Sequence, residues 1–219
     1  MSDLFDSLPA MPASPVVLGP QAILLPGFAA AQADAVLADL LAVAENAPFR
    51  HWTTPGGGAM SVAMTGCGNT GWISDRRGYR YDRIDPLTGR PWPALPDRLR
   101  DLAVAAAAAA EFPGFAPDTC LINRYEPGSR MALHQDRDER DLAAPIVSVS
   151  LGLPAVFLFG GLARSDPARK VRLQNGDVAV WGGPSRLFFH GIARLADGVH
   201  PLTGGLRYNL TFRTVAAGC

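Results

Sequence analysis

Lysine is almost missing from this chain: Lys170 is the only one among 20 basic residues, and arginine supplies the rest. Arginine suits carboxylate and phosphate forks, although a genome-wide codon bias accounts for the same excess more cheaply. No charge of either sign is in surplus, since 20 acidic residues balance the 20 basic ones. A global field for nucleic acid is therefore excluded, and such a partner has to be held by a local patch. Cysteine is scarce and scattered, at positions 67, 120 and 219, with no C-x-x-C spacing. That argues against a disulfide framework and against a zinc knuckle. The longest apolar run, Leu102 to Ala110, is too short to span a bilayer, and the acidic opening Met-Ser-Asp-Leu-Phe-Asp lacks a signal pattern. The expectation is a soluble, cytoplasmic, monomeric protein with no membrane partner.

What is present describes one folding domain: 219 residues, 48% hydrophobic and 18% charged, enough for a full core. Residues 1–20 hold four prolines and no periodicity, which predicts an irregular leader ahead of a single domain over 21–219. Val36, Leu37, Leu40, Leu41 and Ala44 share one helical face over 33–47, stopped by Pro48. A second helix is predicted from Asp97 through the alanine run to Glu111. Between the helices, residues 49–96 are rich in glycine, proline and aromatics and read as an irregular, surface-covering insertion. From 118 to 214 the pattern changes to short alternating segments, at 119–126, 131–136, 146–151, 155–159, 169–174, 177–181, 186–191 and 205–214. Eight short strands predict a sandwich or jelly roll. The fold class is thus mainly β with flanking helices, α+β overall.

The last strand is unusual. Its period of two puts Arg207, Asn209, Thr211 and Arg213 on one face and Leu206, Tyr208, Leu210 and Phe212 on the other. Two arginines and an asparagine in a row form either a receptor for the carboxylates of a small diacid or the solvated outer face of an edge strand. Upstream, His134-Gln-Asp136 ends a predicted strand and His190 lies on a later one. Two histidines and a carboxylate in this arrangement match a facial triad that leaves open positions on a ferrous ion for cosubstrate and dioxygen. Leu121, Asn123 and Tyr125 share a face of the first strand of this run, where they either bind the same carboxylates or satisfy turn backbone beside Pro127-Gly128.

Taken in order, Asn123-Arg-Tyr125-Glu-Pro-Gly128, Leu133-His134-Gln-Asp136-Arg-Asp138, His190 and Arg207-Tyr-Asn209-Leu-Thr-Phe-Arg213 resemble the AlkB family of nucleic-acid dealkylating dioxygenases. The insertion joins in, where Met60-Ser-Val-Ala-Met64, Gly71-Trp72, Gly78-Tyr79-Arg-Tyr81 and Asp85-Pro86 are similar to the bacterial repair branch. The resemblance implies a double-stranded β-helix core over 118–214, with 49–96 as a nucleotide-recognition lid. It implies Fe(II) held by His134, Asp136 and His190, with 2-oxoglutarate bound by Asn123, Tyr125, Arg207, Asn209 and Arg213, and O2 as the oxidant. The implied activity is oxidative demethylation of 1-methyladenine and 3-methylcytosine in alkylated DNA, extending to RNA, with release of formaldehyde and succinate.

Such a reaction needs the base out of the stack and held between rings. Trp72, Tyr79 and Tyr81 are candidates for that clamp, while Arg76, Arg77, Arg80 and Arg83 could track phosphates. Packing of the aromatics on the core under a solvated arginine loop is the other reading. Arg164 opens a further basic stretch with Arg169, Lys170 and Arg172, directed at base or backbone. Asp138 is either a carboxylate facing a cationic base or a solvated turn residue. Competing functions are the same chemistry on a small molecule or methylated protein, a non-catalytic jelly-roll binding module, and zinc hydrolysis, which leaves the arginine row of the last strand without work.

Overall fold

The computed structural model describes residues 14–215. In chain order they form β1 (Val16–Gly19), β2 (Ala22–Leu25), α1 (Ala33–Asn46), β3 (Arg50–Thr53), β4 (Ala59–Gly68), β5 (Gly71–Asp75), β6 (Gly78–Asp82) and α2 (Asp97–Ala109). Then follow β7 (Thr119–Tyr125), β8 (Met131–His134), β9 (Ile146–Gly152), β10 (Ala155–Phe159), β11 (Arg169–Leu173), β12 (Val178–Trp181), β13 (His190–Ile192) and β14 (Arg207–Arg213). The architecture is mixed α+β. An eight-stranded sheet runs β1-β2-β12-β9-β14-β7-β4-β3, a four-stranded one β11-β10-β13-β8, and β5-β6 is a separate hairpin. No helix among the described residues is long and apolar enough to cross a membrane.

Strand alternation explains how the layers stack. On β7, β9, β12 and β14 the residues Ile122, Val147, Val149, Val178, Val180, Leu210 and Phe212 join one core with Val36, Leu40 and Val43 of α1 and Leu99, Leu102, Ala103 and Ala106 of α2. Alanine at 103, 106 and 107 is fully buried, and its small side chain lets α2 approach the sheet closely. The residues in between, Leu121, Tyr125, Ile146, Ala179 and Trp181, turn the other way and meet Phe157, Phe159, Val171, Leu173 and Ile192 of the smaller sheet. The same alternation points Arg207, Asn209, Thr211 and Arg213 into the space between the two sheets. β14 lies between β7 and β9, not at an edge, so the reading of that row as a solvated outer face is overturned.

Three expectations from sequence change. Of the leader, residues 1–13 lie outside the described residues, and Val16–Gly19 is a strand. The insertion is not irregular, because it contributes four strands, and the longest, β4, extends the large sheet by pairing with β7. Its sequence Ala-Met-Ser-Val-Ala-Met-Thr-Gly-Cys-Gly has small residues of low β-propensity and a buried run without alternation, which hides a strand covered on both sides. Residues 186–189 leave the ladder expected over 186–191, because a turn at Gly183–Ser185 swings Arg186 inward. There its guanidinium donates to Ala144 O, Asp136 O and Glu139 Oε2.

The hairpin β5-β6 has two distinct faces. Trp72, Tyr79 and Tyr81 share one, while Ile73 on the other packs in a small cluster with Ala47, Trp92 and Trp52. Gly71 lies flat against the Trp92 indole, where a Cβ would come within 2.2 Å of the ring. Arg50, half-buried between Trp52 and Trp92, pairs with the fully buried Asp85 and ties β3 to the loop behind the hairpin.

Candidate active site

His134 and His190 are far apart in sequence but direct cross-strand partners, because β13 pairs antiparallel with β8 in the register His190↔His134. Their rings lie 4.4 Å apart. Each Nδ1 is 2.9 Å from a backbone carbonyl, of Ala132 and Phe188 respectively. Donation there fixes the tautomer and leaves Nε2 with a free lone pair. Asp136 stands two residues beyond the end of the strand expected to carry it, with its oxygens 3.6 Å from His134 Nε2 and 3.7 Å from His190 Nε2. One ligand atom from each of the three residues falls within 4.8 Å of the others, the one such cluster among the described residues.

The protonation states suit a divalent cation. Burial, with His134 alongside, pulls His190 down to about 4, so its imidazole is neutral at physiological pH. Burial works against the charge of Asp136, yet the Arg213 guanidinium overrides it and holds the carboxyl well below the usual range. A neutral imidazole at His190 and an ionised carboxylate at Asp136 belong to the donor set of a ferrous facial triad with open positions.

The triad opens into a cavity of about 470 Å3 that is also lined by Asn123, Tyr125, Ser148, Asn209, Thr211 and Arg213, and by Trp72, Tyr79, Tyr81, Asp138 and Arg164. Asn209 is at the centre of the sheet-borne group: it accepts from Asn123 Nδ2 at 3.2 Å and from Thr211 Oγ1 at 3.0 Å, and donates to Ser148 Oγ at 2.8 Å. Asn123 Oδ1 and Arg207 Nε are buried without a hydrogen-bond partner. Arg207 does not line the cavity; its guanidinium lies over the Tyr125 ring at 5.6 Å, and burial lowers its pKa. The unsatisfied buried donor of Arg207, behind a cavity that holds a metal triad, fits a small dicarboxylate, whose ionised oxygens only accept.

The described chain from residue 21 to residue 213 matches the model of the 2OG-Fe(II) oxygenase superfamily. It is 58% identical over 199 residues to the alpha-ketoglutarate-dependent dioxygenase AlkB of Salmonella typhimurium, covering 91% of this chain and 92% of that one. The chain belongs to the AlkB family. It is 48% identical over 205 residues to the AlkB homolog of Caulobacter vibrioides, covering 93% of this chain and 91% of that one. The solved structure of OsALKBH1 superposes with a TM-score of 0.81 at 30% identity, covering 92% of this chain and all of that one. In an AlkB-family chain the triad of His134, Asp136 and His190 is the iron site of an Fe(II)/2-oxoglutarate-dependent dioxygenase.

Around that AlkB triad other predicted residues differ in what they touch. Trp72 and Tyr79 are stacked, with ring centroids 5.4 Å apart and planes 17° from parallel, and Trp72 Nε1 donates to Asp138 at 3.1 Å. Arg164 sits over Phe189 at the cavity wall. Arg80, in contrast, points from the opposite face of the hairpin and makes a two-pronged pair with Asp75. Arg213 does not stand free either, since Nε and Nη2 grip Asp136 Oδ2 at 3.1 and 2.6 Å.

Sequence reasoning passed over Glu139, Arg186 and Ser148. Glu139 is 6% exposed amid a run of charged residues that reads as a solvated turn, and only the tertiary partners Arg186, Arg213 and Tyr81 show otherwise. Ser148 had a legible signal, because Ser148 and Ser150 interrupt a hydrophobic strand on a single face.

Proposed function

We propose that this enzyme removes N-methyl groups from the pairing edge of adenine and cytosine in DNA, with RNA as a further substrate. The carrying observation is that the iron triad and the stacked Trp72–Tyr79 pair line the same cavity. A methyl on a pairing edge is unreachable in a duplex, so the base has to enter that cavity alone, and an aromatic platform beside the metal supports this.

Iron, once bound with 2-oxoglutarate and O2, supplies the oxidant that hydroxylates the methyl group. The protein's own part is positioning. His134, Asp136 and His190 hold the metal on one side. Asn123, Tyr125, Arg207, Asn209 and Arg213 orient the two carboxylates of the cosubstrate, with Arg207 at the deep end and Arg213 beside Asp136. Residues 49–96 act as the nucleotide-recognition lid on a jelly-roll core over 118–214, the whole forming one domain over 21–219. Trp72 and Tyr79 stack the base, with Tyr81 behind them, while Arg164 approaches it from the opposite wall and Arg80 serves the phosphates from the outer face. The hydroxylated methyl leaves as formaldehyde, restoring the base.

Asp138 lines the cavity and is tied to Trp72. A carboxylate there favours bases that carry positive charge, as 1-methyladenine and 3-methylcytosine do near neutral pH. Incubation with a panel of methylated DNA and RNA oligonucleotides, Fe(II), ascorbate and 2-oxoglutarate, read by mass spectrometry, tests the proposal. Loss of the methyl group from these two bases is expected. Consumption of 2-oxoglutarate with every methylated base left intact would overturn it.

A further inference from the structure

An unbroken chain of hydrogen bonds runs from the hairpin β5-β6 to an iron ligand. Tyr81 Oη donates to Glu139 Oε1 at 2.6 Å and accepts from Arg213 Nη1 at 3.3 Å. Arg213 in turn grips Asp136. A phenol has one proton to give and lone pairs to receive, and both capacities are used here. The charged members are sealed from solvent, with side-chain exposures of 5% for Arg213, 9% for Asp136 and 2% for Glu139. Groups so enclosed cannot exchange a lost partner for water, so the position of each fixes the next.

Tyr81 is also the cross-strand partner of Trp72, whose ring stacks on Tyr79. If the hairpin swings away from the cavity, the Tyr81 hydroxyl has to leave Arg213 and Glu139. The buried guanidinium and carboxylate then each lose a hydrogen bond. The hydroxyl has no such role if Tyr81 only offers a ring to a base.

We propose that Tyr81 is a positioning residue that couples the hairpin to the metal site, so that loading of Fe(II) and 2-oxoglutarate and closure of the hairpin favour one another. This rests on the reading of residues 49–96 as a lid. Such coupling is reciprocal: the factor by which metal and cosubstrate tighten the hold on a methylated strand equals the factor by which the strand tightens the hold on them.

Tyr81→Phe keeps the ring and removes the hydroxyl. Amide hydrogen exchange over residues 71–82 is measured with and without Fe(II) and 2-oxoglutarate, under exclusion of O2 and with no nucleic acid present. In the wild-type protein loading slows exchange at least about fivefold, the lower end for a coupling of this kind, and in Tyr81→Phe the effect shrinks to within about twofold of none. Affinity for a trinucleotide containing 1-methyladenine, with and without the same additions, follows the same pattern. An unchanged response in Tyr81→Phe, or no response in the wild type, overturns the proposal. A trinucleotide that never binds while the exchange response persists counts against the nucleic-acid reading alone and leaves the coupling in place. Should Tyr81→Phe fail to fold, Glu139→Gln weakens the same link while keeping an acceptor oxygen, and a full wild-type response there is the refuting result.

Discussion

Arg207 and Arg213 lie on the same face of the same strand, six residues apart, yet replacing them by methionine should move stability in opposite directions. Arg207 is 1% exposed. Its hydrogen bonds are long, 3.2 Å to Ser150 Oγ and 3.4 Å to Tyr208 O, its Nε has no partner, and burial disfavours its charge. Removing a poorly compensated buried charge in favour of an apolar side chain of similar length should leave the ligand-free protein unchanged or stabilise it, by up to about 4 kcal/mol. Arg213 grips Asp136 and lies 3.3 Å from Glu139. Its loss strands the buried carboxylate of Asp136 and takes one partner from Glu139, which keeps Arg186 and Tyr81; this should cost about 3–5 kcal/mol.

Cosubstrate reverses the comparison for Arg207. If it receives a carboxylate of 2-oxoglutarate, truncation weakens binding by about 2–5 kcal/mol, a rise in Kd of roughly 30-fold to several thousand-fold. Wild-type protein at a ligand concentration of about 100 Kd gains about 2.7 kcal/mol, whereas a variant binding about 30-fold more weakly gains about 0.9 kcal/mol at the same concentration. For a chain of this size the wild-type gain corresponds to a rise in Tm of roughly 5–10 °C. Urea and thermal denaturation of the metal-free and Fe(II)-loaded proteins, with and without 2-oxoglutarate and without O2, supply all the terms. The reasoning fails if Arg207→Met destabilises the ligand-free protein as much as Arg213→Met does, or if it keeps the wild-type gain on adding 2-oxoglutarate.

Alanine at His134, Asp136 or His190 should abolish turnover, and chelation of the wild type should do so reversibly, with activity returning on re-addition of Fe(II); an alanine variant with full turnover would remove that residue from the triad. Trp72→Ala should raise KM for methylated strands by roughly 5- to 150-fold, the 1–3 kcal/mol of a base stack, while sparing nucleic-acid-free consumption of 2-oxoglutarate, so equal loss of both activities in a kinetic comparison would make Trp72 structural. Asp138→Asn should narrow the preference for 1-methyladenine and 3-methylcytosine over the neutral 1-methylguanine and 3-methylthymine, and an unchanged ratio of kcat/KM among the four would return Asp138 to a role as a surface carboxylate.

Legibility in the sequence tracked periodicity. β14 and β7 were readable to within a residue or two because their alternation is strict, and the helices because their apolar faces are regular. β4 was not, since a strand buried on both faces and built of small residues carries no alternation to detect. His134 and His190 could be named from residue type, but their cross-strand adjacency depends on which strands pair, which no local pattern encodes. The inward turn of Arg186 is likewise set by a tertiary partner, Glu139, hidden in what reads as a polar loop. Arg80 marks a different limit: it stands between two ring residues in the sequence, but strand alternation places it on the hairpin face opposite theirs, where it pairs with Asp75.

β14 is paired on both sides over nearly its full length, to β7 and to β9, and carries its polar row and its core row in strict alternation. A single inserted or deleted residue within it would exchange the two faces at once, driving arginines into the apolar layer beneath the helices and Leu210 and Phe212 toward the iron. Substitutions along this strand can be graded, but a change of length cannot be. Between Arg207 and Arg213 the segment should therefore tolerate no insertions or deletions, so any viable length variation in this part of the chain should collect in the turn that precedes it.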